Sequence, residues 1–215
     1  MDFSFIDILE YIGAFAFAIS GIRYASLQKF DWFGAYVVGF VTAIGGGTLR
    51  DLLLNTSPFW MTQPSYLVCT AVALLVTIIF GKKVNQLSRT FMIFDTLGLS
   101  LFVVVGIEKT LDFGFPMWTA IIMGASTGAF GGVLRDVLLN QEPLIFRKEI
   151  YAMACVLGGI AYWAGVRFGL TEPLLQIVAA GTVIATRLLA VRYHISLPVL
   201  KGYDDNSNDE NNLIN

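Results

Sequence analysis

The sequence predicts an all-α integral membrane protein: seven transmembrane helices, arranged as two inverted three-helix repeats plus a seventh helix. Three observations predict it. Of 215 residues, 56% are hydrophobic and only 14% charged, with a mean hydropathy of +0.69, which leaves too few charges to cover a soluble domain of this size. Seven stretches approach the roughly 20 apolar residues that a span requires. Finally, Gly46-Gly47-Thr48-Leu49-Arg50-Asp51-Leu52-Leu53-Leu54-Asn55 returns 85 residues later as Gly131-Gly132-Val133-Leu134-Arg135-Asp136-Val137-Leu138-Leu139-Asn140.

In order, the expected spans are Phe5–Tyr24, Trp32–Leu54, Tyr66–Phe80, Phe91–Ile107, Trp118–Leu139, Ile150–Phe168 and Pro173–Val191. The first is expected to stay as a helix, because Asp2 and Asp7 precede or enter it without any Lys or Arg, unlike a cleaved leader. The third is the shortest. The transmembrane domain is expected over 1–201, with repeat one at about 5–80, repeat two at about 90–168 and the seventh helix at about 173–193. The polar segment 202–215 reads as a disordered acidic tail. It holds Asp204, Asp205, Asp209 and Glu210, so the formal net charge of −2 conceals a mildly basic body.

An odd number of spans puts the termini on opposite sides. One side collects Arg23, Lys29, Lys82, Lys83, Arg89, Arg135, Arg147, Lys148, Arg187, Arg192 and Lys201; the other has Arg50, Lys109 and Arg167. The positive-inside rule then places the N-terminus outside and the C-terminus in the cytoplasm of an inner (plasma) membrane.

At the same offset of 85, Glu10 matches Asp95, Gly13 matches Gly98, Gly21 matches Gly106, Gly39 matches Gly124, Thr42 matches Thr127 and Pro58 matches Pro143. The duplicated unit covers three spans, and an odd unit enters the membrane inverted the second time. The second and fifth spans are expected to break at Gly45, Gly46 and Gly47 and at Gly131 and Gly132, facing each other across a pathway. The freed carbonyls would be available to a cation, since irregular backbone survives in a bilayer only against protein or water. The competing reading is close helix packing, the commonest use of membrane glycines.

Arg50, Asp51, Arg135 and Asp136 fall inside the expected spans, where one such charge costs about 2.5–3.5 kcal/mol near a helix centre. They read as pore or gating charges, or as a snorkelling Arg with an Asp cap. Glu10 and Asp95 read either as an acidic entrance for cations or as caps of their helices. Thr48, Ser126 and Thr127 are candidate pore hydroxyls, as are Ser20, Thr42 and Ser100, though such groups also bond their own helix. Arg187 is expected to snorkel to the cytoplasmic interface, His194 to be solvated, and Trp60 and Trp118 to sit in aromatic belts. Cys69 and Cys155 read as small buried thiols. Nothing resembles a nucleophile–base pair, a metal cluster, a phosphate loop or a basic nucleic-acid patch, so neither an enzyme nor a nucleic-acid partner is expected, and no cofactor beyond permeant K⁺ or Na⁺.

Gly-Gly-x-Leu-Arg-Asp doubled at Gly46–Asp51 and Gly131–Asp136, on a three-plus-three-plus-one plan, resembles the prokaryotic branch of the trimeric intracellular cation (TRIC) channel family, over residues 1 to about 200. The resemblance implies a homotrimer with one K⁺-permeable pore per protomer. That pore would be lined by the second and fifth helices kinked at Gly45, Gly46, Gly47, Gly131 and Gly132, with Arg50 and Arg135 at or near it. The Lys-Glu-Val stretch of animal members is absent, so their phosphoinositide regulation does not carry over. Arg135 retains the chemistry to meet an anionic lipid headgroup. Some bacterial proteins of this domain type are described as glycine transporters, so a carrier of a small zwitterion is the alternative, with Arg50 or Arg135 taking its carboxylate and an acid its ammonium. A structural or lipid-binding membrane protein is a third reading, which leaves the duplicated charges unexplained.

Overall fold

The computed structural model describes residues 4–85, 90–147 and 150–198. They form α1 (Phe5–Leu27), α2 (Trp32–Leu53), a one-turn α3 (Phe59–Thr62), α4 (Ser65–Asn85), α5 (Thr90–Asp112), α6 (Met117–Leu138), the 3₁₀ turn η1 (Leu144–Phe146), α7 (Ala152–Arg167) and α8 (Glu172–Tyr193). Helices α1, α2, α5, α6 and α8 are long and apolar enough to cross a membrane; α4 and α7 contribute shorter apolar stretches, Ser65–Gly81 and Ala152–Arg167. Each coincides with an expected span. The tail 202–215, Arg89, Lys148 and Lys201 lie outside the described residues, as do the side chains of Lys82 and Lys83.

Local chemistry sets the ends. Ser4 caps α1 by accepting from Ile6 N–H at 3.2 Å while Asp7 accepts from Ser4 N–H at 3.0 Å, a capping box that satisfies two orphan donors. Asp31 does the same work for α2, accepting from Gly34 N–H at 2.7 Å. Hairpins α1–α2 and α5–α6 turn through left-handed residues at equivalent places, Lys29 (φ 61°) and Gly114 (φ 80°). Asn55 and Asn140 are also left-handed, at φ 57° and 51°. They end α2 and α6 in Schellman turns, with Thr56 N–H bonding Asp51 O at 2.9 Å and Gln141 N–H bonding Asp136 O at 2.8 Å. Asn is the residue besides glycine that tolerates this conformation, which accounts for the Leu-Leu-Asn ending of both copies.

At the centre α1 packs on α5 and α2 on α6, with α4, α7 and α8 around them. Phe17 stacks on Phe102, its own repeat mate, at 5.5 Å between centroids. Other contacts come in exchanged pairs. Phe102 covers Gly13 and Phe17 covers Gly98; Thr127 O abuts Gly46 and Thr42 O abuts Gly131. Replacing each residue i by i+85 turns one contact into the other. Thr42 and Thr127 face Gly21 and Gly106, and each donates to its own helix at 2.6 Å, to Val38 O and Met123 O.

One expectation is overturned here. Helices α2 and α6 run without interruption through Gly45, Gly46, Gly47, Gly131 and Gly132, so no carbonyls or N–H groups are freed. The glycines act instead by lacking a side chain. A Cβ on Gly46 would overlap Thr127 O, and one on Gly131 would overlap Thr42 O. Two helices approach backbone to backbone, as small residues permit in membrane packing. Large apolar residues lie on the outside, among them Trp32, Phe33, Ile79 and Trp118, a surface suited to lipid or to a second copy.

Gly46→Ala is expected to lower thermal stability in detergent by about 1–3 kcal/mol, since backbone must move to admit the methyl. Gly181→Ala, with nothing within 4 Å of the added Cβ, is expected to be neutral or to stabilise by up to about 1 kcal/mol through helix propensity.

Candidate functional site

The last turns of α2 and α6 each carry an arginine buried to within 1% of complete, and each is held by a carboxylate cluster. In the first cluster Arg50 donates Nε to Asp51 Oδ1 at 2.7 Å and Nη2 to Glu10 Oε1 at 3.2 Å. Lys109 Nζ reaches both Glu10 oxygens, at 3.0 and 2.9 Å, and Tyr66 OH donates to Oε2 at 3.1 Å. Asp51 Oδ2 accepts from Phe59 N–H at 2.8 Å, the first residue of α3. The Phe59 ring lies under both cations, 5.6 Å from each.

The second cluster repeats this frame. Arg135 donates Nε to Asp136 Oδ1 at 2.9 Å, and Nη1 to Ser20 Oγ at 2.9 Å and to Asp95 Oδ1. Asp136 Oδ2 accepts from Leu144 N–H at 3.0 Å, opening η1. Each aspartate therefore serves two ends: one oxygen neutralises the arginine and the other caps the short turn that follows Pro58 or Pro143. Arg135 lies over Tyr24, 5.5 Å from its centroid, and Tyr24 is the repeat mate of Lys109. Tyr151, the mate of Tyr66, carries the Arg187 guanidinium on its face at 4.9 Å.

Their buried counter-ions, Glu10 and Asp95, differ by one methylene. Glu10 is long enough to meet Tyr66, whereas Asp95 Oδ2 and the Tyr151 hydroxyl are buried with no hydrogen-bond partner among the described residues. A cavity of about 330 Å³, lined by Asp51, Thr56, Ser57, Phe59, Lys109 and Asp112 among others, opens against the first cluster. Lys109, 27% exposed, stands between that cavity and Glu10.

The Glycine transporter family matches this chain at residues 7–82 and again at residues 92–167, two copies at the spacing of the two clusters. The chain belongs to that family. Its relatives are membrane proteins: the Escherichia coli (strain K12) UPF0126 inner membrane protein YadS is 39% identical over 194 residues, 88% of this chain and 93% of that protein. Among solved structures, the TRIC trimeric intracellular cation channel orthologue from Rhodobacter sphaeroides is 34% identical with a TM-score of 0.83, covering 88% of this chain and 98% of that one. A prokaryotic TRIC channel crystallised in 0.5 M KCl is 30% identical with a TM-score of 0.81, covering 89% and 98%. The resemblance read from the doubled Gly-Gly-x-Leu-Arg-Asp thus holds across the fold.

In this family member the candidate residues converge more closely than sequence alone indicates. Glu10 and Asp95 cap nothing, since each lies five residues inside its helix; they are counter-ions, buried at 3% and 0% exposure. Arg50 and Arg135 do not snorkel, and neither does Arg187, which at 1% exposure packs on Tyr151 and donates to Ile150 O at 3.2 Å. Thr48, Ser126 and Thr127 spend their hydroxyl protons on their own helix, at 2.8, 2.8 and 2.6 Å, and Thr48 Oγ1 also accepts from Trp60 Nε1 at 3.0 Å. His194 and Trp118 are exposed. Cys69 and Cys155 are free thiols, the second fully buried. Nothing in the sequence marks the roles of Lys109 and Tyr24; for Tyr66 and Tyr151 their 85-residue match is the available signal.

Removing one member of a buried pair leaves an uncompensated charge and costs about 3–5 kcal/mol. Arg135→Gln is expected to destabilise by that amount in detergent unfolding, and Asp95→Asn added to it should recover part. Lys109→Gln should cost less, because Glu10 keeps Arg50.

Proposed function

We propose that the chain is a potassium-permeable monovalent cation channel of the inner membrane, assembled as a homotrimer with one pathway per protomer along α2 and α6. The observation that carries this reading is the pair of equivalent arginine–carboxylate clusters at opposite ends of the glycine crossing between α2 and α6. Solved cation channels sharing this fold at 30–34% identity support it. Seven helices cross, the two three-helix halves are inverted about an axis in the membrane plane, and the seventh helix stands outside the repeat. The exchanged contacts at Gly46 and Gly131 and the double family match favour that arrangement. The N-terminus is outside and the C-terminus cytoplasmic.

On this reading the first cluster faces the outer cavity, where Asp51 and Asp112 attract cations, and the second faces the cytoplasm. The crossing is the waist. With both arginines committed to carboxylates the arrangement is a closed one, and conduction requires a cation to compete with a tethered guanidinium or ammonium for Glu10 or Asp95. Purified protein in a planar bilayer under a KCl gradient is expected to give unitary currents reversing near the K⁺ potential. Reversal near the Cl⁻ potential, or silence from verified trimers, contradicts the channel.

The family's description favours a second reading, a secondary carrier of glycine or a similar zwitterion. Its difficulty is that a substrate carboxylate would have to displace Glu10 or Asp95 from an arginine. Saturable uptake of labelled glycine into proteoliposomes, abolished by Arg135→Ala, is the outcome it requires.

A further inference from the structure

We propose that Phe59 is a positioning residue for the first cluster: its ring is one seat shared by Arg50 and Lys109, holding both cations on Glu10 and closing the cavity at Lys109 from the glycine crossing. The closing role rests on the channel reading above; the seat does not.

The seat is built from several directions. Asp51 Oδ2 fixes the start of α3 by accepting from Phe59 N–H at 2.8 Å, and Trp60 Nε1 ties the same turn to α2 by donating to Thr48 Oγ1 at 3.0 Å. The ring packs against Gly47, where a Cβ would overlap its Cε1, and meets the Tyr66 ring edge to face at 4.5 Å between centroids. Phe59 is 7% exposed, yet it lines the cavity of about 330 Å³. One side chain thus stands between that cavity and Gly47, beside the Gly46–Thr127 contact.

Electrostatics call for such a ring. Arg50 Nη2 and Lys109 Nζ both reach Glu10 Oε1, at 3.2 and 3.0 Å, so two like charges meet at one oxygen, and their repulsion is strong where water is scarce. The negative face of an aromatic ring attracts a cation within about 6 Å of its centroid, and both cations lie 5.6 Å from that of Phe59. Glu10 and this ring are the two groups that both cations share among the described residues.

The duplication separates the ring from the frame that carries it. Leu144, the repeat mate of Phe59, donates the same backbone bond to Asp136 Oδ2 at 3.0 Å and brings no π face. Arg135 and Arg187 sit on two different rings, Tyr24 and Tyr151. An apolar residue is therefore enough for the fold at this position, and the ring belongs to the cluster in which one carboxylate serves two cations.

Replacing Phe59 by 4-fluoro- and 3,4,5-trifluorophenylalanine keeps the ring's shape while weakening its negative face. Phe59→Leu installs the residue that the second half already carries. In the full chain in detergent, mass spectrometry follows the rate at which a water-soluble acylating reagent modifies Lys109 Nζ, scaled to that of Lys29, which is exposed beyond the end of α1. The rate is expected to rise in step with fluorination, about threefold or more for the trifluoro ring, and at least as far with Phe59→Leu. A rate indifferent to fluorination overturns the seat, because a ring that only fills space is insensitive to its charge distribution; so does a Phe59→Leu chain in which Lys109 stays as protected as before. In planar bilayers the trifluoro ring is expected to raise open probability at unchanged unitary conductance. Currents whose open probability ignores the fluorines overturn the closing role. A silent chain with graded Lys109 modification overturns the channel reading instead and leaves the seat standing.

Discussion

A guanidinium cannot be left bare inside an apolar helix bundle, and this constraint organises the duplicated half of the molecule. Arg50 and Arg135 are at most 1% exposed, and stripping such an ion of water without partners costs several kcal/mol or more. Three positions in each repeat answer that cost. The adjacent aspartate bonds Nε, an acid from α1 or α5 bonds the guanidinium end, and the asparagine five positions on turns the chain so that the aspartate's other oxygen can cap α3 or η1. The glycines make the geometry reachable by letting α2 and α6 touch through backbone at Thr42 and Thr127.

Duplication did not make the clusters equal. Glu10 is shared by Arg50 and Lys109, whereas the place of Lys109 is taken by Tyr24 in the second cluster and a second cation, Arg187, comes from α8. Asp95, shorter by a methylene, leaves one oxygen and the Tyr151 hydroxyl unpartnered. A pathway through both would therefore be asymmetric in its electrostatics although nearly symmetric in its backbone. Helix α8 breaks the symmetry through Arg187.

The helices were legible because apolar length is read directly from composition, and all seven expected spans fall on helices. The equivalence of Gly46 and Gly131 was legible from the 85-residue offset, and each lies against a threonine carbonyl of the other half. What the glycines do was not, because a helix that breaks and a helix that packs closely have the same sequence; the answer depends on a facing carbonyl 81 residues away, Thr127 O for Gly46. The partners of the arginines were hidden likewise. Glu10 and Asp95 could be named from the offset, but their bonds to Arg50 and Arg135 span 40 residues. Lys109 and Tyr24 occupy equivalent places with unrelated chemistry, so no comparison of the halves marks them. Arg187 was misplaced because its proximity to Arg192 suggested an interface, whereas the flat face of Tyr151 gives it a buried seat.

On the proposed reading, one aqueous pathway follows α2 from the outside and α6 from the inside. Single cysteines at Thr48 and at its mate Val133, in a chain lacking Cys69 and Cys155, would be exposed to a charged, membrane-impermeant thiol reagent during current recording. Thr48→Cys is expected to be modified, and the current altered, only by outer reagent, and Val133→Cys only by inner reagent. Modification of both from the same side, or currents indifferent to labelling that is verified at both positions, would contradict it.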